Sequence, residues 1–103
     1  MENVPEKSNF FCSLNTEMTV GQIAEIFRPL KATIRKCAYD DFEVCLPWAD
    51  LVIEPGPPML MHGAVADVLD NGRRILCLLR SANVVDYSAE CYDASGELLS
   101  HFP

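Results

Sequence analysis

The chain has 103 residues, half of them apolar and 22% charged, which fits one globular domain over 1–103 and excludes a disordered or collagen-like chain. Its 15 acidic and 8 basic side chains give a net charge of −7, which repels phosphate backbones and anionic lipid. Neither nucleic acid nor a membrane is therefore an expected partner, and no apolar run approaches the ~20 residues that span a bilayer.

Residues 1–9 are polar, carry Glu2, Glu6 and Lys7 where a secretory signal has an apolar stretch, and read as a frayed terminus. Phe10, Phe11, Cys12 and Leu14 form a short apolar patch, either an edge strand or a plug on the core. Thr19 with Gln22 is a capping box. Apolar residues at Val20, Ile23, Phe27, Leu30, Ile34 and Cys37 then step by three and four, the period of one helix face. This predicts a helix over 19–28, kinked at Pro29, which lacks an N–H and crowds the carbonyl of Glu25, and continued to about 38. β-branched Thr33 and Ile34 leave a strand over 32–37 as the alternative. The stretch Met18-Thr19-Val20-Gly21-Gln22-Ile23-Ala24-Glu25-Ile26 resembles the opening helix of a helix-turn-helix. No recognition helix with its turn follows, and the charge opposes DNA, so the resemblance carries no DNA-binding role.

Phe42, Val44 and Leu46 alternate with Glu43 and Cys45, a half-buried strand closed by Pro47. A second short strand covers 51–53, and Pro55, Pro57 and Pro58 make a stiff connector. Trp48 between the strands reads as a core cap or, beside rigid prolines, as an interaction anchor.

The remainder predicts a four-stranded antiparallel meander. Asn71-Gly72 is a hairpin turn signal that pairs Val68 with Ile75, Ala66 with Cys77 and Ala64 with Leu79. A three-residue loop over 81–83, with Asn83 left-handed, pairs Leu79 with Val85 and Cys77 with Tyr87 and sets Arg74 opposite Glu90. A turn at 93–96 pairs Cys91 with Leu98, Ala89 with Ser100 and Tyr87 with Phe102. The expected fold is α+β: an N-terminal kinked helix, or two short helices, packed on a five- to six-stranded antiparallel sheet that ends in the meander. In its order of elements this resembles a cystatin-like or NTF2-like roll.

In this register one face, with His62, Ala64, Ala66, Tyr87 and Ala89, receives the helix. The other carries Val65, Leu76, Leu78, Arg80 and Leu99, an apolar island with a charged rim, which is the composition of an interface unless the N-terminal segment or the strands over 42–53 cover it. Charge is also segregated along the chain: Arg28, Lys31, Arg35 and Lys36 precede Asp40, Asp41, Glu43, Asp50 and Glu54, either a solvated helix face or a patch for a basic partner.

Cys12, Cys37, Cys45, Cys77 and Cys91 are odd in number with no C-x-x-C pair, which points to reduced thiols in a cytoplasmic protein rather than a disulfide framework. With only His62 and His101 beside them, neither a metal nor a cofactor is expected, and no phosphate-binding glycine loop or nucleophile elbow is present. The expectation is a small acidic interaction protein of inhibitor, immunity or adaptor type, bound to another protein or to a second copy of itself. The alternative is a small-molecule-binding roll, enzymatic if His62 is a general base with Tyr87 in the same cavity, although the sequence places no carboxylate beside His62.

Overall fold

The computed structural model describes residues 4–102, so the first three residues of the expected frayed terminus lie outside the described residues. The architecture is α+β: one sheet of seven antiparallel strands with two helices. In chain order the elements are β1 (Phe10–Leu14), α1 (Val20–Glu25), β2 (Thr33–Lys36), β3 (Phe42–Leu46), β4 (Ala49–Glu54), β5 (Met59–Val65), α2 (Val68–Ser81), β6 (Tyr87–Tyr92) and β7 (Leu98–Phe102). Across the sheet the order is β2-β3-β4-β5-β1-β6-β7, which sets β1 in the middle rather than at an edge. Asn9 belongs to the sheet as well. Its side-chain amide donates to the Val65 carbonyl at 2.9 Å and its side-chain oxygen accepts from the Val65 N–H at 2.8 Å.

The N-terminal helix forms where expected but is short. Thr19 Oγ1 accepts from the Gln22 N–H at 3.1 Å and Gln22 Oε1 accepts from the Thr19 N–H at 2.9 Å, a closed capping box. The predicted continuation to about 38 does not form. Pro29 sits at the start of a 3-10 turn (Arg28–Leu30), Lys31 turns the chain at φ 62°, and residues 33–36 pair with β3. Ile34 suits both periods, but the missing N–H of Pro29 and the left-handed corner at Lys31 end the helical one.

The larger correction concerns 68–81, which is a helix and not the first hairpin of a meander. Val68, Ile75, Leu76 and Leu79 make one helical stripe, and each is buried. Asn71-Gly72 lies inside it. The Asn71 side chain is buried and donates to the Ala66 carbonyl. A Cβ on Gly72 would stand 3.0 Å from Cys91 Sγ and 3.5 Å from the Phe10 ring, so glycine here permits a close approach of helix to sheet. The helix begins from a left-handed corner at Asp67 (φ 47°), which Asp tolerates better than most residues. It ends in a Schellman motif: Asn83 at φ 65°, its N–H on the Arg80 carbonyl at 3.0 Å and the Val84 N–H on the Leu79 carbonyl at 2.9 Å. Asn83 is thus left-handed as expected, as a helix cap and not as a hairpin loop. The pairs built on the lost hairpin, Arg74 with Glu90 included, are absent among the described residues; the Arg74 guanidinium lies 4.9 Å over the Trp48 ring.

The last hairpin forms with its register moved by two, Cys91 opposite Ser100 and Ala89 opposite Phe102, with a bulge at Cys91/Tyr92. The cause is Asp93, whose Oδ1 accepts from the N–H groups of Ser95 and Glu97, each at 2.9 Å, and tightens the turn. A shift of two keeps Ala89, Cys91, Ser100 and Phe102 on one face, whereas the bulge sets Leu98 opposite Tyr92 instead of Cys91.

Because strands alternate, the register sorts the sheet into two faces. Phe10, Cys12, Leu14, Val44, Leu51, Ile53 and Met61 share the inner face and a single core with Ile23 and Phe27 beside α1 and with Ile75 and Leu79 of α2. Among the described residues no helix covers the outer face, and none is long and apolar enough to cross a membrane.

Candidate functional site

One row of residues crosses the outer face from edge to edge: Arg35, Glu43, Val52, His62, Phe11, Glu90 and His101, each opposite the next. At about 4.8 Å per strand such a row is roughly 30 Å long. Its centre is aromatic. Phe11 is 42% exposed and stacks on His62 with ring centroids 6.1 Å apart and planes at 14°. Tyr92 meets Phe11 edge-on at 5.7 Å. Leu60, from the neighbouring row, is also exposed.

Carboxylates surround this centre. Glu54 Oε1 lies 3.2 Å from His62 Nε2, a diagonal pair across β4 and β5. The Tyr92 hydroxyl donates to Glu90 Oε2 at 3.0 Å, which pushes the phenol pKa up and keeps it a donor. Asp50 lies on the same face beside Cys45. Among the described residues the face's one guanidinium, Arg35, is spent on Glu43 at 2.6 Å. Ser88 Oγ and His101 Nε2 are 2.9 Å apart at the far side.

The expected site residues scatter. Val65 is fully buried on the inner face; Leu76 is buried, Leu78 half-buried and Arg80 exposed, all three on α2. Leu99, on β7, alternates with inward Ser100 and reaches the outer face, 44% exposed. The proposed island on the outer sheet face is thus not assembled from those five residues, because a helix rotates 76, 78 and 80 apart where a strand would align them. Trp48 caps the core at the β3–β4 turn, 6% exposed beneath Arg74, instead of standing out as an anchor. His62 and Tyr87 occupy opposite faces, since Tyr87 pairs with inward Leu14 and His62 with outward Phe11. They line no common pocket.

The chemistry available around His62 is narrow. Among the described residues its hydrogen-bond partner is Glu54, and no serine or cysteine hydroxyl or thiol joins the pair to complete a nucleophile–base arrangement. The adjoining cleft, between Phe11, Ser13, Leu60, His62 and Ser88, is about 190 Å³, below the ~300 Å³ at which small-molecule pockets begin. Three thiols are held protonated: burial pushes Cys12 up to about 12, with Cys91 adding to it, and burial also raises Cys91 and, with Asp50, Cys45.

Sequence reasoning missed Phe11, Glu54, Glu90 and Tyr92 as a group. They lie far apart in the chain and meet only because β1 inserts between β5 and β6. Alternation of Phe10 with Phe11 was the available signal, but it is ambiguous without a neighbouring strand. In comparisons with protein-family models, curated proteins and solved structures, the chain matches none.

Proposed function

We propose that this protein acts by binding another protein through the outer face of its sheet, as a small inhibitor, immunity or adaptor protein. The observation that carries the reading is the uncovered aromatic centre, Phe11 with Tyr92 and Leu60, on a face whose other residues, Val52 and Leu99 apart, are mostly charged or polar. Exposed aromatics at the middle of a flat surface are the usual anchors of an interface, and a row roughly 30 Å long suits a patch of ~800 Å² per partner.

Charge selects the kind of partner. Glu43, Asp50, Glu54 and Glu90 stand against one arginine, which is itself paired. Two such faces brought together would repel, so a basic partner is favoured over a second copy. The small-molecule and enzymatic alternative lacks the shared pocket it needed from His62 and Tyr87.

Affinity capture with wild type, Phe11→Asp and Arg80→Glu tests this. Phe11 lies on the outer face and Arg80 on the helical layer. A basic protein retained by wild type and Arg80→Glu, lost from Phe11→Asp and eluted by rising salt is the expected result. Binding lost from Arg80→Glu and kept by Phe11→Asp would move the interface to the helices. A wild-type dimer in light scattering that Phe11→Asp converts to monomer would replace the basic partner by a second copy.

A further inference from the structure

Beside Phe11 the outer face deepens into a cleft of about 840 Å³, walled by residues 5–8, by Phe11 and Tyr92, and by the turn over 93–96. Its volume is that of a ligand-sized site. Its ionisable lining is Glu6, Glu90 and Asp93 against Lys7. Hydrogen bonds from Ser95, Glu97 and Gly96 hold the Asp93 carboxyl below the usual carboxylate range, so it is ionised at neutral pH. The Tyr92 hydroxyl steadies Glu90 beside the two rings while using one of the carboxylate's several acceptor positions.

Aromatic faces next to oriented carboxylates attract cations, and two features choose among cations. The rings offer flat apolar surface, which a planar guanidinium stacks on better than a compact, strongly hydrated ammonium. A carboxylate can accept two parallel N–H bonds from the same group. A metal ion is a poorer occupant, because among the described residues no three His, Cys, Asp or Glu side chains gather to hold one.

We infer that the cleft between Phe11, Tyr92 and Glu90 receives an arginine side chain of the basic partner, its guanidinium stacked on the face of one of the two perpendicular rings and hydrogen-bonded by Glu90. This rests on the reading of the outer face as the partner surface and names the contact that gives it specificity. Lys7 at the cleft wall opposes the guanidinium and keeps single-arginine affinity low, so that the rest of the face supplies most of the binding.

The test is a ¹H–¹⁵N titration with N-acetyl-arginine amide and with the neutral isostere N-acetyl-citrulline amide. Arginine is expected to shift the amides of Phe11, Glu90 and Tyr92, and citrulline to bind about tenfold more weakly. Glu90→Gln and Tyr92→Leu should each weaken arginine binding severalfold while the α2 resonances stay in place. Glu90→Gln is nearly isosteric and keeps the test valid if Tyr92→Leu perturbs the sheet. Equal binding of citrulline, shifts confined to another region, or no shifts at saturating arginine would each overturn the inference. A partner that depends on Phe11 together with an absent arginine response removes the pocket and leaves the face. An arginine response in the cleft with no Phe11-dependent partner removes the face and leaves the pocket.

Discussion

Phe10 and Phe11 are adjacent, chemically identical and oppositely placed. Phe10 is fully buried against α2 and Cys91, whereas Phe11 is 42% exposed among His62 and Tyr92. The pleat of one central strand thus gives the first ring to the core and the second to the solvent-facing surface. The inner face is held by packing, with large apolar side chains under both helices and Gly72 of α2 close against Cys91 and Phe10. The outer face has no helix on it among the described residues and is laced by side-chain pairs such as Arg35 with Glu43, Glu54 with His62 and Tyr92 with Glu90, which orient its side chains for contact.

The comparison is most severely tested at Phe10. Phe10→Ala is expected to cost about 3–5 kcal/mol in urea unfolding, through a cavity under α2. A loss below ~1 kcal/mol would mean that the helix does not rest on that face. Gly72→Val comes next. Its side chain must displace Cys91 Sγ and the Phe10 ring, at an expected cost of about 1–3 kcal/mol, while Arg73→Ala, one residue on and exposed, should change little.

The alkaline response separates the faces by titration. Cys12 on the inner face has its thiol pushed up to about 12, against 9.0 for an ordinary thiol. Between these values the unfolded chain releases the proton and the folded chain keeps it. The Cys12 contribution is therefore complete below about pH 9 and falls as pH rises, by about 1.4 kcal/mol at pH 10. Urea midpoints at pH 8, 9 and 10 should decline more steeply for wild type than for Cys12→Ala. A thiol reagent at neutral pH should label outer-face Cys45 without unfolding and Cys12 only through it. The smallest effect on stability is expected at Phe11→Ala, about 1 kcal/mol from its lost contacts with His62 and Tyr92, while partner binding is lost.

Local signals were legible where one mechanism acts alone. The capping box at Thr19, the strand at 42–46 and the turn at 93–96 each follow from a few neighbouring residues and each forms. The sequence misleads at 68–81 because two periods coincide there. Val68, Ile75 and Leu79 satisfy a helix, while Ala66, Val68, Ile75 and Cys77 alternate as strands on either side of a good turn dipeptide. What decides for the helix is not local: Gly72 fits beneath Cys91 and Phe10, residues distant in sequence. The candidate site was illegible for the same reason. Phe11, Glu54, Glu90 and Tyr92 carry no motif and are neighbours only through the pairing of β1 with β5 and β6.

That central place of β1 also orders the folding reaction in time. The strands β2 to β5 are joined by short connections and can pair as soon as they are synthesised, whereas β1 must wait for β5 to cover its first edge and for β6, nearly the whole chain away, to cover its second. Until β6 arrives, β1 itself presents an open hydrogen-bonding edge at what becomes the middle of the sheet, so the strand made earliest is among the last to be enclosed.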